Sequence, residues 1–172
     1  MHIRQVTQHD KDKLYLYLKT LSEETRKRFG PHPFDEHTAW LVCSGGYKNC
    51  MAYICLNDVL VVGYAIVKQG YVPGDRNRYI GYPITLSDRH DYTLAPSVAD
   101  AYQSRGVGSL LLEFVLEDLR KRGAYKIILW GGVQASNLKA VNFYNKHGFR
   151  KVGEFEYYGN NYDLVKYLQK LC

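Results

Sequence analysis

The sequence has 172 residues, of which 23% are charged and 46% hydrophobic, and its formal net charge is +6. This length suits one domain over residues 1–172, and these proportions exclude a disordered chain and a membrane protein. No apolar run reaches the roughly 20 residues of a membrane helix, and the first residues lack the apolar core of a signal peptide, so we expect a cytoplasmic protein. The basic residues are scattered, which argues against a nucleic-acid partner.

The four cysteines do not form a recognisable metal or disulfide pattern. Their positions, 43, 50, 55 and 172, give no C-x-x-C pair, and no histidine cluster accompanies them. We therefore expect no metal and reduced thiols, with Cys55 packed in a strand.

The first third of the chain predicts a strand, three helices and a hairpin. Ile3–Val6 is the strand, and Thr7 with Asp10 resembles a capping box before a helix whose Leu14, Tyr17, Leu18 and Leu21 share one face. Ser22 caps a second helix, and residues 35–43 form a third with Trp40 facing inward. Residues 51–56 and 59–68 form a hairpin around Asn57-Asp58, and Gly63 marks a bulge or close packing.

Residues 70–90 leave two interpretations open. This stretch carries Pro73-Gly74-Asp75 and Gly81-Tyr82-Pro83, and a loop of this length without structure is uncommon in a compact domain. It is either a mobile loop with an irregular strand near 79–86, or a tyrosine-lined lid over a substrate.

The second half of the chain alternates strands and helices. Residues 92–98 form a strand that Pro96 interrupts, 109–122 form a helix that Gly123 ends, and 125–130 form the next strand. Ser136 or Asn137 caps another helix. Residues 149–156 and 162–168 form an antiparallel pair around Gly159-Asn160-Asn161.

Between the strand at 92–98 and the helix lies Gln103-Ser-Arg-Gly106-Val-Gly108, a Q-x-x-G-x-G pattern. Its glycines allow a tight turn and close approach of a ligand, and the helix that follows offers unpaired N–H groups, so the stretch predicts a diphosphate site. It is neither the Walker pattern, because Ser109-Leu110 replaces Lys-Ser or Lys-Thr, nor the dinucleotide fingerprint, because Leu111 replaces the third glycine.

A second motif, N-x-x-A-x-x-x-Y-x-x-x-G-F, runs from Asn137 to Phe149. With the Q-x-x-G-x-G stretch at the family spacing, it resembles the GNAT superfamily of N-acetyltransferases. The resemblance implies an α/β (α+β) fold with a mixed, mostly antiparallel central sheet and helices on both faces. It also implies acetyl-CoA as the donor and direct transfer without a covalent enzyme intermediate.

The resemblance assigns the donor site residue by residue. Coenzyme A is expected to contact the backbone of Val98, which pairs with the pantetheine arm, and the loop residues Gln103, Ser104, Arg105, Gly106, Val107, Gly108 and Ser109. Asn137 is a helix cap, a coenzyme A contact or both. Tyr144 lies about two helical turns beyond Asn137 on the same face and is expected to hydrogen-bond the sulfur.

The general base is less well defined by the sequence. Asp91 is our candidate, beside His90 and Tyr92 on the strand before the loop, and a water chain without a single base is an equal alternative. Glu154 and Glu156 are further carboxylates within reach. Some relatives that modify protein N-termini carry a glutamate where this chain has Gly132, which argues against that activity and predicts open space beside the thioester.

We therefore expect an enzyme that acetylates the primary amine of a small molecule. The alternatives are a protein or peptide N-acetyltransferase and a non-catalytic module that binds acyl-CoA. The acceptor, the acyl-chain preference and the oligomeric state, with a homodimer among the options, stay open.

Overall fold

A computed structural model describes residues 1–168, which form eight strands, six α-helices and two short 3-10 turns. The strands are β1 (His2–Gln5), β2 (Cys50–Asn57), β3 (Leu60–Gln69), β4 (Asp91–Val98), β5 (Lys126–Leu129), β6 (Val133–Gln134), β7 (Arg150–Glu156) and β8 (Asn160–Tyr167). The helices are α1 (Lys11–Thr20), α2 (Glu23–Lys27), α3 (Glu36–Ser44), α4 (Pro73–Tyr79), α5 (Val107–Lys121) and α6 (Leu138–Lys146).

The strands form a mixed sheet. Hydrogen bonds join them in the order β1-β2-β3-β4-β5-β8-β6, and β7 also pairs with β8. The pair β4 and β5 is parallel, whereas β1 with β2 and β8 with each of β5, β6 and β7 are antiparallel. The mixed, mostly antiparallel sheet expected from the sequence is confirmed.

The chain divides into two compact units. The first contains Met1–Val67 and Ala95–Glu117, and the second contains Lys68–Leu94 and the chain from Asp118 onward. The strand β4 and the helix α5 each contribute residues to both units.

The first unit begins with the predicted capping box. The Thr7 backbone N–H donates to Asp10 Oδ2 at 2.8 Å, and Arg4 holds the same carboxylate with two hydrogen bonds of 2.6 and 2.7 Å. Asp10 is almost fully buried, and α1 follows it with Leu14, Tyr17 and Leu18 in the core. The apolar stripe read from the sequence is therefore the buried face of α1.

The predicted cap of α2 is confirmed and α3 is also capped, but the predicted direction of Trp40 is wrong. The side chains of Ser22 and Asp35 accept hydrogen bonds from the N–H groups of Thr25 and Thr38. The buried residues of α3 are Thr38, Ala39, Val42 and Cys43. Trp40 lies off that face, is 52% exposed and stacks on His37, with ring centroids 5.6 Å apart.

The β2–β3 hairpin forms, with its turn displaced by one residue. Asn57 is the last residue of β2, so the turn is Asp58-Val59, and Asp58 adopts a φ of +52°. Gly63 in β3 reflects close packing, because a Cβ there would lie 3.2 Å from Val107 Cγ1 and 3.3 Å from Cys55 Cβ. Cys55 is buried, as predicted.

In the second unit, residues 70–90 form α4 followed by a packed coil, so the strand expected near 79–86 is wrong. Pro73 occupies the start of α4, where its missing N–H costs nothing, and Asp75 follows in the first turn. Tyr71 and Tyr79 are buried against Ile128 and Val165. These tyrosines belong to the core of the unit.

The coil after α4 is fixed to the late strands. The ring of Tyr82 occupies the space where a side chain at Gly153 would lie, since a Cβ there would come within 2.1 Å of Tyr82 Cζ. Gly153 also sits at the register shift of β7 against β8. The coil and the bulged strand therefore fit each other only with glycine at this position.

Replacing Asp10 with Ala should lower the free energy of unfolding by about 2–3 kcal/mol, because it removes the charged hydrogen bonds of Arg4 and Thr7. The hydrogen bond to Arg4 holds the pKa of the Asp10 carboxyl well below its usual range. The stabilisation should therefore be complete above about pH 4, the ordinary aspartate value, and shrink as the pH falls toward the lower folded pKa. Urea unfolding at several pH values tests this.

The matched control is Asp10→Asn, which keeps an acceptor for the Thr7 N–H and should cost less than Asp10→Ala at neutral pH. A destabilisation that is the same at acidic and neutral pH would contradict the role of the charge.

Candidate active site

The stretch between β4 and α5 forms a left-handed turn. After a 3-10 turn at Asp100–Tyr102, Ser104 and Gly106 have φ values of +59° and +85°, and residues 104–106 are exposed. A Cβ on Gly106 would meet no atom within 4 Å, so the surface before the turn is open. The α-helical bonds begin with Leu110 N–H donating to Gly106 O at 3.1 Å. The turn thus places exposed backbone at residues 104–106 directly before the first turn of α5, whose N–H groups are those that an anion site uses.

Side chains of the first unit hold this turn in place. Gln103 Nε2 donates to the carbonyl of Val98 at 3.2 Å and to Thr25 Oγ1 at 3.3 Å. Asp100 accepts from the Ser22 N–H and from Thr25 Oγ1 at 2.9 and 2.7 Å. Partial burial raises the pKa of the Asp100 carboxyl, but these hydrogen bonds outweigh it and keep the pKa below its usual range. The glutamine of the motif therefore connects the turn to the end of β4.

The strand β4 is continuous through Pro96, while its ladder with β5 is short. The register runs from Asp91 opposite Lys126 to Leu94 opposite Leu129, and Trp130 N–H donates to Leu94 O at 2.9 Å. The predicted interruption thus falls in the pairing with β5 and not in the strand itself. Val98, the predicted pantetheine contact, is the last residue of β4.

Asn137 is the N-cap of α6. Its side-chain oxygen accepts a hydrogen bond from the Ala140 N–H at 3.2 Å, so the cap is Asn137 and not Ser136. The second expected role of Asn137, a contact with coenzyme A, stays a prediction.

Tyr144 lies in α6 and is 8% exposed, with its ring against Phe143 and Phe149. Burial raises the pKa of its phenol above the ordinary value. Within residues 1–168, no group forms a hydrogen bond with its hydroxyl. Tyr144 is therefore a neutral donor at physiological pH whose hydroxyl is available to another acceptor.

Asp91 is fully buried at the start of β4, and within the described residues its Oδ1 has an ion-pair contact but no hydrogen bond. Its Oδ1 lies 3.0 Å from Lys126 Nζ, and its Oδ2 accepts from the Tyr71 hydroxyl at 2.5 Å and the Ser87 N–H at 2.7 Å. Asp91 and Lys126 also form the first pair of the β4–β5 ladder. A carboxylate matched by a buried ammonium and enclosed on all sides is suited to holding the strand, so the geometry favours a structural role over that of general base.

The other candidate bases lie at the surface. His90 is exposed, with Nδ1 3.2 Å from Gly123 O, and Glu154 is exposed and paired with Lys151. Glu156 is also exposed, at the end of β7.

Gly132 does not open the space that the sequence suggested. It has a φ of +70°, and a Cβ there would lie 2.8 Å from Tyr162 O and 2.9 Å from Phe155 Cε1. The Phe155 ring fills this volume, with the Arg78 guanidinium 3.7 Å from its centroid.

A group of charged residues missed by the sequence analysis lies in the second unit. Arg78 of α4 bridges Asp75, at 2.7 Å, and Asp163 of β8, at 3.0 Å. Asp75 also accepts the Gly131 N–H at 2.9 Å. The helix start Pro73-Gly-Asp75 is the local signal that could have revealed α4, but no local signal points to Asp163.

The described residues, 1–168, contain no cluster of three side chains suited to a metal. Burial raises the pKa of the thiols of Cys43, to about 11, and Cys55. Cys172 lies outside the described residues. Among the helices of that same range, none combines the length and apolar character needed to cross a bilayer.

In this chain, β4 extends beyond the end of its pairing with the parallel strand β5, and a left-handed turn then begins the amphipathic helix α5. This combination is typical of enzymes that bind an acyl-CoA. The sequence model described as the acetyltransferase (GNAT) family matches residues 14–149, and the chain belongs to this family. It is accordingly an acetyl-CoA-dependent N-acetyltransferase, with acetyl-CoA as the donor of the family.

Three comparisons give the extent of this similarity. N-alpha-acetyltransferase 30 of Schizosaccharomyces pombe is 28% identical over 105 residues, which cover 57% of this chain and 69% of that protein. The ribosomal protein bS18-alanine N-acetyltransferase of Salmonella typhimurium is 33% identical over 86 residues, 43% of this chain and 57% of that protein. The GNAT domain of S. lividans PAT superimposes with a TM-score of 0.76 at 21% identity, over 96% of this chain and 89% of that chain.

Replacing Gly132 with Ala should destabilise the fold by about 1–3 kcal/mol, because alanine is strained at a φ of +70° and its Cβ collides with backbone and with Phe155. The control Gly74→Ala lies in α4, where a Cβ meets nothing within 4 Å, and should be neutral or slightly stabilising. Chemical unfolding of both variants measures the difference. Equal stability of the two variants would show that Phe155 can move aside.

Proposed function

We propose that the chain transfers the acetyl group of acetyl-CoA to a primary amine by direct attack of the amine on the thioester. The observation that carries this proposal is the exposed left-handed turn at Ser104–Gly106, which opens α5. Its backbone N–H groups and the positive end of the helix dipole suit a diphosphate, and the coenzyme supplies the activated acyl group when bound.

The residues that would hold the donor are those expected from the sequence. The backbone of residues 104–109 would contact the diphosphate, and the exposed Arg105 adds a positive charge beside it. Val98 would pair with the pantetheine arm, and Asn137 would contact coenzyme A while it caps α6. Gln103 keeps the turn in shape through its bond to the Val98 carbonyl.

Tyr144 is the residue we assign to the leaving sulfur. Its raised pKa makes full proton transfer to a thiolate unfavourable, since a thiol ionises near pH 8.5 and an ordinary phenol near 10. Its contribution is therefore a hydrogen bond that strengthens as negative charge develops on the sulfur.

Two acceptors are consistent with this chemistry. The small-molecule amine expected from the sequence is the first candidate, because it needs only the donor site and a proton acceptor. The amino terminus of a protein or peptide is the second. Two observations favour it. The Salmonella typhimurium relative described above is named for a ribosomal protein that it acetylates, and Tyr157 and Tyr158 are 66% and 89% exposed at the β7–β8 turn. Exposed aromatic side chains are frequent anchors of protein interfaces.

Gly108→Glu should abolish binding of acetyl-CoA, because it places a negative charge in the first turn of α5, where the diphosphate is expected. At a concentration 100 times the dissociation constant, acetyl-CoA should stabilise the wild-type protein by about 2.7 kcal/mol, or roughly 5–10 °C in a thermal melt. Gly108→Ala is the matched control without charge. The same shift in the glutamate variant would refute the placement of the donor.

Tyr144→Phe should lower kcat roughly 100-fold while the dissociation constant of acetyl-CoA stays unchanged, because the lost hydrogen bond acts on the developing thiolate. Release of free coenzyme A measures kcat, and calorimetry measures binding. Equal turnover in both proteins would remove Tyr144 from the reaction.

Competition between a small amine and a short peptide with a free amino terminus, followed by mass spectrometry, separates the two acceptors. Preferential acetylation of the peptide supports the second candidate, whereas binding of acetyl-CoA without product from either acceptor supports a non-catalytic module.

A further inference from the structure

The parallel strands β4 and β5 end their pairing at a defined point. Their last registered pair is Leu94 with Leu129, and the Trp130 N–H makes the closing hydrogen bond to Leu94 O. Ligands of open α/β sheets bind beyond the carboxyl ends of parallel strands, where backbone groups are left without partners. A side chain that projects to this edge is therefore well placed to act on a bound substrate.

Asp75 reaches this edge from a distant part of the sequence. It lies in the first turn of α4, and its Oδ2 accepts the Gly131 N–H at 2.9 Å. Gly131 directly follows Trp130, so this carboxylate lies one residue beyond the end of the ladder. The two bonded residues are 56 positions apart in the chain.

The backbone after β5 cannot provide a carboxylate of its own. Gly131 and Gly132 both have φ values of +70°, and a side chain at Gly132 would collide with Phe155 and with the Tyr162 carbonyl. Phe155 is in turn covered by the guanidinium of Arg78. Residues 131 and 132 therefore supply no acidic group in this chain, and α4 brings one to this edge.

The carboxylate of Asp75 accepts fewer hydrogen bonds than that of its neighbour Asp163. Asp163 is fully buried and accepts hydrogen bonds from two nitrogens of Arg78 and from the Tyr82 hydroxyl. Asp75 accepts from Arg78 at 2.7 Å and from the Gly131 N–H. Asp75 is itself 3% exposed, and these two hydrogen bonds occupy two of the roughly four lone-pair sites of its carboxylate. The group contains two carboxylates and one guanidinium, and its net charge is negative.

The same surroundings make Asp75 a better proton acceptor than a surface aspartate. Burial raises the pKa of its carboxyl, and the charge of Asp163 raises it further, while the Gly131 N–H and Arg78 oppose the change without reversing it. Tyr79 and Tyr82 are the other titratable groups in this cluster, and burial raises the pKa of both phenols. They are therefore neutral at physiological pH.

We propose that Asp75 is the proton acceptor of the acetyl transfer, directly or through one water molecule, in place of Asp91. This inference rests on the proposed function. As the bond from the amine nitrogen to the acetyl carbon forms and the carbon–sulfur bond breaks, one proton leaves the nitrogen for the Asp75 carboxylate. A proton from solvent then neutralises the sulfur, and Asp75 releases its proton to solvent, so that one amide and one thiol are formed and the carboxylate is restored. Arg78 and Asp163 are positioning residues, which keep Asp75 at the Gly131 N–H.

Asp75→Asn tests this assignment. It should lower kcat/KM for the amine by about 10²–10⁴-fold, the usual contribution of a general base, without changing the dissociation constant of acetyl-CoA. In the wild-type protein, kcat/KM should rise as the pH passes upward through the pKa of Asp75, because only the carboxylate accepts a proton. That rise should be absent from the variant. Wild-type turnover, or a loss of turnover with the wild-type pH profile retained, would overturn the proposal.

Two further measurements make the test independent of the folding of that variant. The control Asp88→Asn alters an exposed aspartate of the same segment, paired with Arg76, and should keep wild-type kinetics. Carbon NMR titration of the wild-type carboxyls should give Asp75 a pKa above that of ordinary aspartates and equal to the kinetic one. An ordinary pKa would overturn the assignment. A wild-type protein that binds acetyl-CoA, shows the raised pKa and acetylates no amine contradicts the proposed function instead.

Discussion

The guanidinium of Arg78, held between the carboxylates of Asp75 and Asp163, is the interaction on which the second unit depends. Buried charges are tolerated only when they are paired and hydrogen-bonded, and the loss of one partner from such a group typically costs about 3–5 kcal/mol. Arginine suits this position because its planar fork can serve two acceptors at once. Through Arg78, the helix α4 is fixed to β8, and both carboxylates receive a defined orientation.

The first unit depends on a different kind of feature, a turn formed mainly by backbone groups. The turn before α5 depends on two left-handed residues, Ser104 and Gly106, and on side chains that bind main-chain groups. Its anchors, Gln103 and Asp100, are close to it in sequence. A turn of this kind is formed by residues that are close together in the sequence, and for that reason a short motif can indicate it.

Whether a feature could be predicted from the sequence depended on how many residues separate the interacting partners. The caps at Ser22 and Asn137 and the helix end at Gly123 involve neighbours within a few residues, and all three were predicted correctly. The orientation of Trp40 was not, because the side of a short helix that faces the core depends on what packs against it.

The errors in the second unit have the same origin. The helix α4 is stabilised by Asp163, 85 residues beyond Arg78, and the volume beside Gly132 is filled by Phe155 of a later strand. Neither partner can be identified from the local sequence. For the same reason no local signal indicated Asp75, whereas Asp91 was proposed from its place on the strand before the loop, where the structure encloses it completely.

The position of β8 determines the order in which the second unit can be completed during synthesis. It pairs with β5, β6 and β7, and its Asp163 binds Arg78, so four earlier elements need a strand that ends at Tyr167. Until the ribosome has released that strand, α4 has no partner for its arginine, and β5 lacks the neighbour on one of its edges. That edge of β5 would be exposed to other chains during this interval. The strand β8 is thus the last strand that the second unit needs before its part of the sheet and its buried ion pairs are complete.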